Sequence, residues 1–151
     1  PEPHRVATVA TVGGVRFVDD SKATNPHAAQ ASLRAFEPVV WIAGGLLKGA
    51  DIDPLVAEIA ARLRGVVLLG ADRAAIAESL ARHAPDVPVV DVPDTDTGAM
   101  DLVVRSAADL ARPGDVVLLA PAAAPRDMFA NYGARGDAFA EAVRALPPSG
   151  E

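Results

Sequence analysis

The chain has 151 residues, half of them apolar, so a single domain with a real core is expected. Its formal net charge of −6 comes with no basic stripe, which argues against a nucleic-acid partner. Cysteine is absent, which excludes disulfides and thiolate metal sites, and no apolar run approaches the roughly 20 residues of a membrane span.

In chain order, Val6–Val12 and Val15–Val18 are short β-type runs separated by Gly13-Gly14, a hairpin signal because both positions of a type I′ turn need positive φ. Pro26–Phe36 reads as helix. Val39–Ala43 is a continuous apolar strand ended by Gly44-Gly45. Pro54–Leu63 reads as helix, with Leu55, Ile59 and Leu63 at helical spacing. Val67–Leu69 is strand, Arg73–His83 helix, Val89–Val92 strand, Gly98–Leu110 helix and Val116–Leu119 strand. The last helix runs from about Ala134 to Leu146, and residues 147–151 are expected to be a flexible tail.

Alternating strands and helices, with near-continuous apolar strands, predict an α/β, Rossmann-like doubly wound fold. Its sheet should be mostly parallel, with an antiparallel hairpin at the N-terminal edge. In such sheets ligands bind beyond the carboxyl ends of the strands. The segments leaving those ends include "DDSKATNP", "GGLLKGAD" and "APAAAPRDMFANYG". Lys22 and Lys48, the only lysines among fourteen basic residues, both fall there.

The corners carry readable chemistry. Pro26 suits a first helical turn, and Thr24 or Asn25 would cap it. A helix N-terminus with Lys22 and the Thr24 hydroxyl beside it would attract a carboxylate or phosphate. Asp20 could accept hydrogen bonds from ribose hydroxyls. The plain alternative is a helix cap with a solvated Asp–Lys pair. "GGLLKGAD" is not a Walker A loop, because Lys48 is followed by glycine and not by Ser or Thr. In the last segment Phe129 reads as core, Tyr132 as core or contact, and Arg126–Asp127 as a solvated pair. His4, His27 and His83 show no metal-ligand spacing.

Three blocks, "VRFVDDSKATNPHAA", "VVWIAGGLLKGAD" and "VVLLAPAAAPRDMFANYGARGDAF", occur in order. Together they resemble the C-terminal domain of the Mur ligases, nearest to the D-glutamate-adding branch and in style to its actinobacterial members. The resemblance implies a cytoplasmic, ATP-dependent, amide-bond-forming ligase of peptidoglycan synthesis. Such an enzyme joins D-glutamate to UDP-N-acetylmuramoyl-L-alanine through an acyl phosphate. It implies an interdomain linker at residues 1–5, the amino-acid-binding domain at 6–146, and a monomer. ATP and Mg would be held mainly by a central domain outside this chain, so the domain alone is expected to be inactive. The chain's opening at Pro1 instead of Met fits a piece of a longer protein.

Carried over, Thr24 and Lys48 would hold the side-chain carboxylate of D-glutamate, and the backbone N–H of Tyr132 its α-carboxylate. Asp20 would reach the nucleotide ribose, Lys22 the phosphate region, with Ser21 and Asn25 as support. Pro125 departs from the family's usual serine and offers neither hydroxyl nor N–H. The competing reading is a free-standing module of the same fold that binds an amino acid or nucleotide without catalysis. The three ordered blocks favour the ligase domain.

Overall fold

The computed structural model describes residues 2–96 and 98–148. Twelve elements follow one another: β1 (Ala7–Val12), β2 (Val15–Asp19), α1 (Pro26–Leu33), β3 (Val39–Ala43), α2 (Asp53–Ile59) with a 3-10 turn (Ala60–Arg62), β4 (Leu63–Leu68), α3 (Arg73–His83), β5 (Val89–Asp91), α4 (Ala99–Leu110), β6 (Val116–Leu119) and α5 (Tyr132–Arg144). The strands form one sheet in the order β1-β2-β6-β3-β4-β5. β1 pairs antiparallel with β2, and every other pairing is parallel. Gly13 and Gly14 turn the hairpin at φ 60° and 77°, as the dipeptide predicted.

Alternate residues of the central strands feed two cores. Val39, Trp41 and Ala43 of β3 pack with Leu33 of α1, Val56 and Ile59 of α2 and Ile76 of α3. Val40 and Ile42 face the other way, onto Met100 and Val103 of α4 and Phe139 of α5. All five β3 residues are fully buried, which is why this strand reads as an unbroken apolar run. Each large side chain so buried contributes about 1.5–3 kcal/mol. Phe129 lies in the second core, as expected.

Several boundaries differ from the sequence reading. The helix after Pro54 stops at Ile59, and Leu63 opens β4, four residues before the expected strand. Arg64 in that strand pairs with Asp115 beside β6, with Nε 2.9 Å from Oδ2 and Nη2 3.2 Å from Oδ1. α1 ends at Leu33, and the chain turns through Ala35 and Phe36 toward Pro38. α5 begins at Tyr132, capped by Asn131, whose side chain accepts the Ala134 N–H at 2.8 Å. Pro147 and Pro148 leave the last helix exposed, and the rest of the expected tail, 149–151, lies outside the described residues, as does Pro1 of the expected linker. Among the described residues no helix is long and apolar enough to cross a membrane.

Candidate functional site

The direction of winding reverses at β6. β2 and β3 feed α1 and α2 on one face, while β6 lies between them and feeds α5 on the other. In open sheets of this kind such a reversal marks the ligand edge, at the carboxyl ends of the strands. The β6 exit runs between its two neighbours and is bonded to both. Asp20 N–H donates to Leu119 O at 2.8 Å and Ala122 N–H to Ala23 O at 3.0 Å. On the other side Gly44 N–H donates to Pro121 O at 3.0 Å, and Leu46 and Ala124 exchange hydrogen bonds of 2.9 and 2.8 Å. β2 and β3 thus lie two strand spacings apart, about 10 Å, and the loops carrying Thr24 and Lys48 leave from their ends.

Each predicted residue has a definite place. Asn25 is the cap of α1, its Oδ1 accepting the Ala28 N–H at 2.9 Å. Thr24 stands beside it, half-buried, one residue before the cap. Lys48 is exposed and holds a left-handed backbone at φ 54°. Left-handed backbone is uncommon away from glycine, and such strain gathers at functional sites. Its turn is anchored where Leu47 N–H donates to Asp72 Oδ2 at 2.7 Å. Tyr132 is half-buried at the head of α5, its ring edge-on to His4 with centroids 6.2 Å apart. The N–H groups of Tyr132 and Gly133 precede any intrahelical acceptor, so this end of the helix favours an anion.

Lys22 pairs with Glu2, and its backbone N–H donates to His4 O at 3.1 Å. Asp20 is buried, with Oδ1 accepting the Val6 N–H at 3.1 Å. Burial pushes its carboxyl up, and the Val6 N–H pulls the other way. The Ser32 hydroxyl stands beside it on α1 without reaching hydrogen-bond geometry. Asp20, Lys22, Arg5 and Ser32 line an open pocket of about 370 Å³ between the entering chain and α1. Ser21 is fully buried, and among the described residues its hydroxyl has no partner. Pro125 is buried too, and its carbonyl accepts the Met128 and Phe129 N–H groups at 3.1 and 2.9 Å.

One sequence expectation is corrected. Asp127 is no solvated partner of Arg126. Its Oδ2 accepts the Ala71 N–H at 2.7 Å and ties the β6 exit to the β4 exit, where the dense packing of glycine turns brings the two loops together.

The sequence reading gave no site role to His4, Asp19, Gly136 or Arg135. His4 Nδ1 lies 2.6 Å from Asp19 Oδ2, while Asp19 Oδ1 accepts the Ser21 N–H at 2.9 Å. The bare surface of Gly136 on α5 gives His4, Asp19 and Ser21 room to meet. Arg135 is 1 % exposed beneath the strand exits. Its position in the first turn of α5, where a cation opposes the helix dipole, was the one available signal.

ATP and Mg fare differently against these residues. The pocket beside Asp20 offers two cationic side chains and a carboxylate, a set suited to one end of a nucleotide. Among the described residues no group of three His, Asp or Glu could hold a metal ion.

Comparison with known proteins agrees with the geometry. The profile of the family described as "Mur ligase, glutamate ligase domain" matches residues 4–123. A Streptomyces coelicolor protein named UDP-N-acetylmuramoylalanine--D-glutamate ligase is 68% identical over 146 residues, covering 97% of this chain and 31% of that protein. Proteins of the same name from Rhodococcus jostii and Mycolicibacterium smegmatis are 59% and 53% identical, covering 97% and 94% of this chain and 34% and 35% of theirs. The chain thus spans about a third of the length of the curated relatives it matches. The three sequence blocks, the winding reversal at β6 and the match over residues 4–123 agree, and the chain belongs to the Mur ligase family as its glutamate ligase domain.

Proposed function

We propose that this chain is the C-terminal domain of a cytoplasmic, ATP-dependent ligase that adds D-glutamate to UDP-N-acetylmuramoyl-L-alanine. The observation that carries the reading is the convergence of the β2, β3 and β6 exits at the winding reversal, in a chain so close to relatives bearing that name. Lys48 and Thr24 hold the side-chain carboxylate of D-glutamate, approaching it from two sides of the β6 exit. The head of α5 at Tyr132 receives the α-carboxylate, a role the helix end can fill without the serine that Pro125 replaces. Two carboxylates on one small substrate need compact donors, and lysine supplies a point charge on a flexible stem.

Asp20 and Lys22 face the nucleotide, with Ser21 supporting their loop from inside and Asn25 fixing the helix behind it. When bound, ATP supplies the phosphate that activates the acceptor carboxylate. Lys22 must exchange Glu2 for that phosphate, which is feasible because both groups are partly exposed. The P-loop and metal belong to a preceding domain, and residues near the start of the chain link the two. The isolated domain is inactive because no Walker A sequence lies within it. The enzyme works as a monomer.

The test is phosphate release by the purified full-length protein that carries this domain. The reading expects release only when ATP, UDP-N-acetylmuramoyl-L-alanine and D-glutamate are all present. Equal release with L-glutamate, or none with D-glutamate, would overturn it.

A further inference from the structure

We propose that Arg135 is a positioning residue for the amino-acid site, acting from beneath through the loops that carry Thr24 and Lys48. This rests on the functional reading above. Arg135 is the fourth residue of α5 and is 1 % exposed. The position is unfavourable to a cation twice over, since burial strips its water and the helix dipole opposes its charge. Burial lowers its pKa to about 10, against the pull of the Asp127 and Asp19 carboxylates.

The guanidinium lies between two loops, hydrogen-bonded to one and packed against the other. Its Nη2 donates to Ser21 O at 3.2 Å, one residue before Lys22 and three before Thr24. Its Nη1 lies 3.2 Å from where a Cβ on Gly45 would sit, in the turn that leads to Lys48. Among the described residues, Nε and Nη1 have no hydrogen-bond partner. The slot beside them, among Gly44, Gly45, Gly70 and Asp127, has no room for water. An apolar side chain of similar length would fill this place at lower desolvation cost. The Asp127 and Asp19 carboxylates offset part of that cost, but no hydrogen bond joins them to the guanidinium. The reason for the charge is function: a rigid planar fork sets the spacing of the two loops, and its underused charge adds positive potential beneath an edge that receives a dicarboxylate.

The experiment measures steady-state kinetics and thermal unfolding of the full-length ligase with Arg135→Met and Arg135→Lys. Arg135→Met is expected to keep its Tm within a few degrees of the native enzyme and to raise KM for D-glutamate at least tenfold. KM for ATP should change less than twofold. Arg135→Lys keeps the charge and should raise KM for D-glutamate only about threefold. If Arg135→Met does not fold, the selective rise in Arg135→Lys decides. A KM for D-glutamate within twofold of native in the folded variants overturns the proposal. So does a rise in both KM values together with a fall in Tm, which marks a general structural role. A native enzyme that ignores D-glutamate fails the functional reading itself, before any variant is compared.

Discussion

Gly45→Ala tests the packing of the strand exits most sharply. Gly45 has φ 137°, a backbone region that side chains rarely adopt, and forcing alanine into it costs about 1–3 kcal/mol. The added Cβ would also lie closer to Ala124 O than the 3.0 Å that real Cβ atoms keep, and 3.2 Å from Arg135 Nη1. Ala124 is locked to Leu46 by two hydrogen bonds, so the β6 exit can yield only by straining that pair. Overpacking of this kind adds about 1–3 kcal/mol. The sum, roughly 2–6 kcal/mol, is a large share of the 5–15 kcal/mol that holds a typical domain together. For a chain of this length it lowers Tm by about 4–24 °C. Gly49→Ala is the matched control. Gly49 also has positive φ, at 79°, but its Cβ would meet nothing within 4 Å. It should cost only the backbone term, about 1 kcal/mol. Thermal unfolding of this chain, followed by circular dichroism, reads both. Equal Tm losses for the two variants would refute the packing argument, because only the backbone term would then matter.

Two further predictions concern buried carboxylates. Asp115 pairs with Arg64 far from the ligand edge; burial would raise its carboxyl, but the Arg64 fork and the Arg112 N–H outweigh that and hold it below its ordinary value. A lowered folded pKa contributes stability above the ordinary value of 3.8 and loses it as pH falls through the folded one. Asp115→Ala should therefore lower Tm at pH 7 by at least about 3 °C, with the gap closing below pH 3.8, and an unchanged Tm at pH 7 would contradict this. Asp20 has the opposite sign. Its folded pKa is raised, so the ionised group costs stability at neutral pH, and the cost fades as pH falls toward 3.8. Asp20→Asn keeps the acceptor for the Val6 N–H and should raise Tm at pH 7 while weakening ATP binding in the full-length enzyme. A lower Tm at pH 7 would show that the charge is compensated after all.

The sequence made the alternating elements legible because glycine and proline mark their ends and the apolar runs are short. Leu63 misled because Leu55, Ile59 and Leu63 also fit a helix, and the pull of Asp115 on Arg64 comes from 51 residues away. The two lysine corners were legible from local composition plus the rule that ligands gather at strand carboxyl ends. Arg135, His4 and Asp127 were not, since their partners stand 114, 15 and 56 residues off and leave no periodic trace. Asn25 was readable as a cap only as one of two candidates, and the backbone geometry chose it over Thr24.

The measurement that bears most directly on the account is KM for D-glutamate in the full-length ligase with Lys48→Ala. A charge-assisted hydrogen bond contributes roughly 1.5–3 kcal/mol, or about 10- to 150-fold in affinity. The account predicts a rise in that range, with KM for ATP within twofold of native. A KM for D-glutamate unchanged by the substitution would contradict the placement of the amino acid between the β2 and β3 exits.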